Sequence, residues 1–212
     1  MSKTERTPDF SLFLDILRTL EAIQAPYMII GAFAATIYGI TRTTYDIDIV
    51  VDLSEEHIRA LEAAYPLPRY YADAEQMRSS IRMGIMFNVI DITHGQKADL
   101  VPLSMDERNQ RAFQNRVRKR IDISEDKQLE IWCARPEDVI LGKLTAWSEG
   151  RSRRHETDIY DMMIVHYLSS APTTNTSINE PYIDNQVQTL GEETVNLWQA
   201  IKKAAQEEAN RT

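Results

Sequence analysis

The sequence predicts an α/β (α+β) fold: a mixed β-sheet core flanked by helices, with a mostly helical C-terminal part. Short apolar, β-branched runs bounded by turn residues recur between Tyr27 and Cys133, and segments with helical apolar spacing interleave with them. Beyond Pro136 only the helical spacing continues. At 212 residues with 43% apolar content, the chain can bury roughly 70% of its unfolded surface, which excludes disorder as its main state. Residues 1–135 are expected to form the core and 136–212 a helical region, with a linker at about 171–180.

Leu12, Ile16, Leu17, Leu20 and Ile23 place an amphipathic helix over about Asp9 to Gln24, ended by Pro26. Tyr27–Ile30 reads as a buried strand closed by Gly31, followed by a helix of small residues through Tyr38 and a break at Gly39. Thr44–Val51 reads as a strand. Ser54 is the expected N-cap of a helix reaching about Tyr65, which Pro66 and Pro68 end. Met86–Thr93 and Lys97–Leu103 flank Gly95 as a hairpin, and strands are expected at Val117–Ile123 and Leu129–Cys133. Pro136 opens a helix to Gly150, and His155–Leu168 forms another. The aperiodic run APTTNTSINE is the linker, and Pro181 begins a final helix striped by Leu197, Trp198, Ile201 and Ala205.

A single cysteine, Cys133, excludes an internal disulfide and a cysteine-rich zinc site. No stretch approaches the roughly 20 apolar residues of a membrane span, and MSKTERTPDF has no apolar signal core. A cytoplasmic protein without a membrane partner is therefore expected. The formal charge of −8 weighs against nucleic acid as a partner. Its distribution weighs the other way.

Asp46-Ile47-Asp48 is the most informative triplet. Alternation along a strand puts both carboxylates on one face, where like charges require a countercharge such as Mg²⁺. The same triplet is compatible with two solvated acids or with a sugar-nucleotide glycosyltransferase. Gly31 at a strand-to-helix turn permits close approach of a phosphate to the backbone. Asp99 offers a third carboxylate. A two-residue turn at Gly95-Gln96 puts Ile92 opposite it and turns Asp91 to the other face; a three-residue turn puts Asp91 opposite.

Gly31-Ala32, then Asp46-Ile47-Asp48, then Asp99 resemble the nucleotidyltransferase superfamily of DNA polymerase β. More narrowly, GAFAATIYGITRTTYDIDIVVDL, KADLVPL, PEDVILGKLTAW and RRHETDIYD resemble the bacterial abortive-infection (AbiEii-like) nucleotidyltransferases, several of which are toxins of toxin–antitoxin pairs. The resemblance runs from about Tyr27 to Leu168. It implies a two-metal nucleotidyltransferase core in which Asp46, Asp48 and Asp99 are catalytic and bind two Mg²⁺, with Mn²⁺ as an alternative. Gly31, Ala32, Arg42, Thr44 and Lys143 would bind a nucleoside triphosphate such as ATP, and Arg154, Asp158 and Asp161 would support the site from the next helix. The family usually has Gly-Gly or Gly-Ser where this chain has Gly31-Ala32, which implies weaker or altered triphosphate binding. From the residues alone, Lys143 reads first as an exposed helix lysine; Arg42 is alternatively a loop ion pair, and Asp158 and Asp161 alternatively a solvated face.

The implied activity is transfer of a nucleoside monophosphate from an NTP to an acceptor hydroxyl on an RNA or tRNA 3′ end, a protein or a small molecule. A small antitoxin protein is the implied partner. The alternative is a non-catalytic nucleotide-binding or regulatory protein that keeps the fold. Arg108, Arg111, Arg116, Arg118, Lys119 and Arg120 lie in a run with no acid, leaving 18 basic against 32 acidic residues elsewhere. Arg116, Arg118, Lys119 and Arg120 are candidates for RNA contact; alternatively the run is a solvated helix and an edge strand guarded by charge.

Overall fold

The computed structural model describes residues 11–41, 44, 46–124, 127–169 and 177–211. Two compact units emerge: the described residues of Met1–Phe33 with Thr43–Cys133, and those of Ala34–Arg42 with Ala134–Thr212.

The first unit holds the sheet. Its strands are β1 (Tyr27–Ile30), β2 (Ile47–Val51), β3 (Tyr70–Tyr71), β4 (Phe87–Asp91), β5 (Gln96–Pro102), β6 (Val117–Ser124) and β7 (Lys127–Cys133). Among the described residues they form one mixed sheet in the order β3-β4-β5-β2-β1-β7-β6. β2 pairs antiparallel with β1 and parallel with β5, which places it in the interior of the sheet. Its Ile47, Ile49, Val50 and Val51 are buried accordingly.

Helix α1 (Ser11–Ala22) buries Leu12, Phe13, Ile16, Leu17 and Leu20, one stripe at helical spacing. Each such side chain contributes about 1.5–3 kcal/mol on burial. Phe13 meets Phe33 edge-on at 6.0 Å. α2 starts at Gly31 and runs Gly31–Ile37. α3 (Glu55–Ala64) has Ser54 as N-cap in a reciprocal pair with His57, as the serine predicts.

α4 (Ala74–Met83), α5 (Glu107–Gln114) and the short β3 lack clear sequence signals. The two helices bury few residues (Ala74, Met77 and Ser80; Ala112 and Phe113), too few to draw an apolar stripe. Capping by Asp73 and Asp106 starts them instead.

The second unit is helical: α6 (Pro136–Gly150), α7 (Arg153–Leu168), α8 (Glu180–Gln186) and α9 (Glu192–Ala209). Its core gathers Val139, Ile140, Leu144, Ile159, Met162, Met163, Ile183, Trp198 and Ile201. The single final helix expected after Pro181 is two. A 3₁₀ turn over Val187–Leu190 and Gly191 at φ +90° separate α8 from α9. Asp184 ties them together by accepting from Trp198 Nε1 at 2.7 Å and Lys202 Nζ at 2.6 Å. Most of the expected linker lies outside the described residues; Asn179 caps α8. Among the described residues no helix is long and apolar enough to cross a membrane.

Candidate active site

The acidic triplet lies at the mouth of β2. The strand begins at Ile47, later than the Thr44 start expected, so Asp48 stands in the ladder while exposed Asp46 precedes it. The buried Thr44 hydroxyl donates to the Asp46 carbonyl at 3.0 Å, just ahead of the strand. Thr44, expected to contact a nucleotide, thus stands just before the acids with its hydroxyl on the backbone carbonyl of the first of them.

Asp48 is aligned with Ile30 on β1 and with Asp99 on β5. Neighbouring strands lie about 4.8 Å apart, and parallel register puts aligned side chains on the same face, so Asp48 and Asp99 stand side by side. Gly31 closes the other flank. Its φ is +67°, and a Cβ there would lie 2.2 Å from Asp48 Oδ2 and 3.1 Å from its Cγ. Glycine is therefore required by backbone conformation and by the carboxylate against it. The sequence suggested only a phosphate approach for this residue.

Asp99 is 6% exposed and fully engaged. Lys97 Nζ donates to both of its oxygens, at 2.7 and 2.9 Å, and Asn88 Nδ2 donates to Oδ1. Hydrogen bonding to Asp99 is the main force raising the Lys97 ammonium above its ordinary range; partial burial opposes it, and the charges of Asp99, Asp46 and Asp48 add to the rise. One ammonium thus serves three carboxylates.

Both expected hairpin registers are corrected. Asp91 pairs with Gln96, Ile90 with Lys97 and Asn88 with Asp99, so residues 92–95 form a four-residue turn. The cause is Asp91, whose Oδ1 accepts from the Thr93 and His94 backbone N–H groups at 2.9 and 3.0 Å. Asp91 does face away from Asp99, as the two-residue turn required, but the residue opposite Asp99 is Asn88 rather than Ile92. Lys97 was legible, being two residues before Asp99 on one strand. Asn88 was not, because its place depends on the turn length.

The donor set suits a hard divalent ion, since Asp46, Asp48 and Asp99 present carboxylate oxygens around one strand end. Among the described residues no three such groups converge in metal-holding geometry, and the Asp99 carboxylate is engaged by Lys97 and Asn88. The residues fit the ion chemically, and Asp99 is already supplied with the Lys97 ammonium.

In the helical unit, Lys143 Nζ donates to Asp158 Oδ2 at 2.6 Å, with the two side chains 5% and 1% exposed. Neither the exposed lysine nor the solvated Asp158 face is found. Asp158 pairs with Lys143, and Arg153 and Arg154 are both exposed. Burial, and then the charge of Asp158, raise the Asp161 carboxyl above its ordinary range. Arg42 lies outside the described residues.

Three of the six basic residues of the run pair with acids distant in sequence or just outside it. Arg118 pairs with Glu21 at 2.5 Å, Arg120 with Glu130 at 3.0 Å and Arg108 with Asp106 at 2.7 Å. Arg116 stacks on Phe113 and Trp132, and burial lowers its guanidinium pKa. Lys119 is buried on the opposite face of β6. Within the run, Arg108, Arg118 and Arg120 therefore have acidic partners inside the chain.

Comparison with known proteins adds a family. Residues 27–180 match the model described as "Nucleotidyl transferase AbiEii toxin, Type IV TA system". No curated protein matches the chain. Similar solved structures include JHP933 from Helicobacter pylori, 14% identical, covering 94% of this chain and 91% of that one at a TM-score of 0.45. Another is an antigenic nucleotidyltransferase-like protein from Paracoccidioides brasiliensis, 18% identical over 90% and 91% of the two chains, TM-score 0.47. A third is the antibiotic-resistance factor ANT(2'')-Ia, 16% identical over 95% and 92%, TM-score 0.41.

Proposed function

The chain belongs to the AbiEii family of nucleotidyl transferase toxins, and we propose that it transfers a nucleoside monophosphate from an NTP to an acceptor hydroxyl, using Mg²⁺ or Mn²⁺ at the acidic cluster. The observation that carries this reading is the alignment of Asp48 with Asp99 on adjacent parallel strands, with Asp46 at the strand mouth and Gly31 against Asp48.

Each residue then has a defined task. Asp46 and Asp48 hold the ion, and Asp99 completes the acidic face. Gly31 leaves room for the Asp48 carboxylate, Thr44 sets the backbone of Asp46, and Asn88 and Lys97 orient Asp99. A divalent ion, when bound, neutralises the triphosphate and makes a hydroxyl oxygen easier to deprotonate. The acceptor oxygen forms its bond to the α-phosphorus, the bond from that phosphorus to the bridging oxygen breaks, and pyrophosphate leaves with the electron pair. A carboxylate of the cluster takes the acceptor proton. RNA, including a tRNA 3′ end, is the first acceptor to test, followed by protein and small-molecule hydroxyls.

The test is incubation with each α-labelled NTP, Mg²⁺ and total RNA or a nucleic-acid-free lysate. Label should move to an acceptor and be lost in Asp48→Asn and Asp99→Asn, both still folded by circular dichroism. NTP binding without transfer to any acceptor would support the regulatory alternative and refute the enzyme. The family description also supports a toxin role. Expression should arrest growth, Asp48→Asn should not, and a small antitoxin encoded beside the toxin should restore growth.

A further inference from the structure

Lys97 changes the expected number of metal ions. Its ammonium spans both oxygens of Asp99 at 2.7 and 2.9 Å, Asn88 occupies Oδ1 as well, and Asp99 is 6% exposed. The position is built rather than incidental. Lys97 and Asp99 sit two apart on one face of β5, Asn88 is aligned opposite on β4, and the buried Asp99 is held by an ammonium and an amide from its own sheet. An ion approaching Asp99 has to displace an intramolecular cation already hydrogen-bonded to both oxygens.

Charge balance points the same way. Asp46, Asp48 and Asp99 carry three negative charges, and one divalent ion with the Lys97 ammonium carries three positive ones. A second divalent ion beside Lys97 would leave the cluster positive by two.

We propose that Lys97 is a tethered counter-cation standing in for the second divalent ion, so that this chain binds one ion, on Asp46 and Asp48, rather than two. The proposal rests on the reading of the acidic cluster as a metal site.

Mn²⁺ alone is the probe, its free concentration read by electron paramagnetic resonance during titration of the full chain, with no nucleotide present. Wild type should lose one bound ion per chain on Asp48→Asn and none on Asp99→Asn, because Asp99 already has its cation. Lys97→Met should bind one ion more than wild type, and Lys97→Met/Asp99→Asn should lose that extra ion. Lys97→Arg, which retains the charge, should keep the wild-type count. Loss of an ion from wild type on Asp99→Asn overturns the proposal, as does an unchanged count in folded Lys97→Met. The Asp99→Asn arm does not depend on the folding of Lys97→Met. If Asp48→Asn costs no ion, the metal-site reading itself fails and takes the proposal with it.

Discussion

At Gly31 a backbone torsion of +67° and the Asp48 carboxylate compete for the space in which any other residue would place its Cβ. Gly31→Ala therefore acts twice. The left-handed conformation costs an L-residue about 1–2 kcal/mol. For a chain of this size, at about 2–4 °C per kcal/mol, the melting temperature should fall by about 2–8 °C. The second effect is local. The new Cβ would sit 2.2 Å from Asp48 Oδ2, and ordinary contact begins at 3.4 Å, so the carboxylate has to retreat by about 1 Å. A misplacement of about 1 Å at a reacting centre costs on the order of 100-fold in rate. The assay is kcat/KM for NTP-dependent labelling beside a thermal melt, with Gly31→Ala made in wild type and in Asp48→Ala. In wild type both readouts should drop; in Asp48→Ala the melt should show the torsional part alone. A Gly31→Ala enzyme that melts lower yet transfers at the wild-type rate would refute the placement of Asp48 by Gly31.

Lys143→Met strands Asp158 in the helical unit without its partner and should destabilise by about 3–5 kcal/mol, whereas Lys143→Met/Asp158→Leu should recover most of that in a urea titration. Burial alone would raise the Asp91 carboxyl, but hydrogen bonds from His94 and Arg69 outweigh it and hold the group at about 2, below its ordinary 3.8. A depressed carboxyl stabilises the fold above its unfolded value, and that stability is lost as pH falls through the folded one. Wild type should therefore lose stability between about pH 4 and pH 2 by an amount missing from Asp91→Asn, read as the pH dependence of the melting temperature. If RNA is the acceptor, Arg118→Ala/Arg120→Ala should leave the salt dependence of RNA binding unchanged, because these residues already face Glu21 and Glu130. A slope shallower by about two would mean that both contact phosphate.

Much of the molecule was legible from local pattern. The stripe of α1, the serine cap of α3, the Pro136 start of α6 and the alternation around Asp48 depend on residues within a few positions of one another. Locally weak elements were lost: α4 and α5 are held by caps and a few buried residues, and their polar faces conceal them.

The sequence by itself determined most element types, the acid pair at 46 and 48, the glycine turn that precedes them, and enough ordered motifs to indicate the family. Tertiary structure decided who faces whom. Sheet order set Asp48 beside Asp99, the four-residue turn set Asn88 opposite it, and residues far apart in sequence paired as Arg118 with Glu21 and Lys143 with Asp158. The reason is physical. Periodicity records which face of a segment is buried, whereas register, strand neighbours and charge partners depend on loop lengths and on the competition among distant groups for the same buried space. The acid excess thus reads differently in the fold: several of the basic residues of the 108–120 run are paired within the chain, and Lys97, outside that run, sits on Asp99.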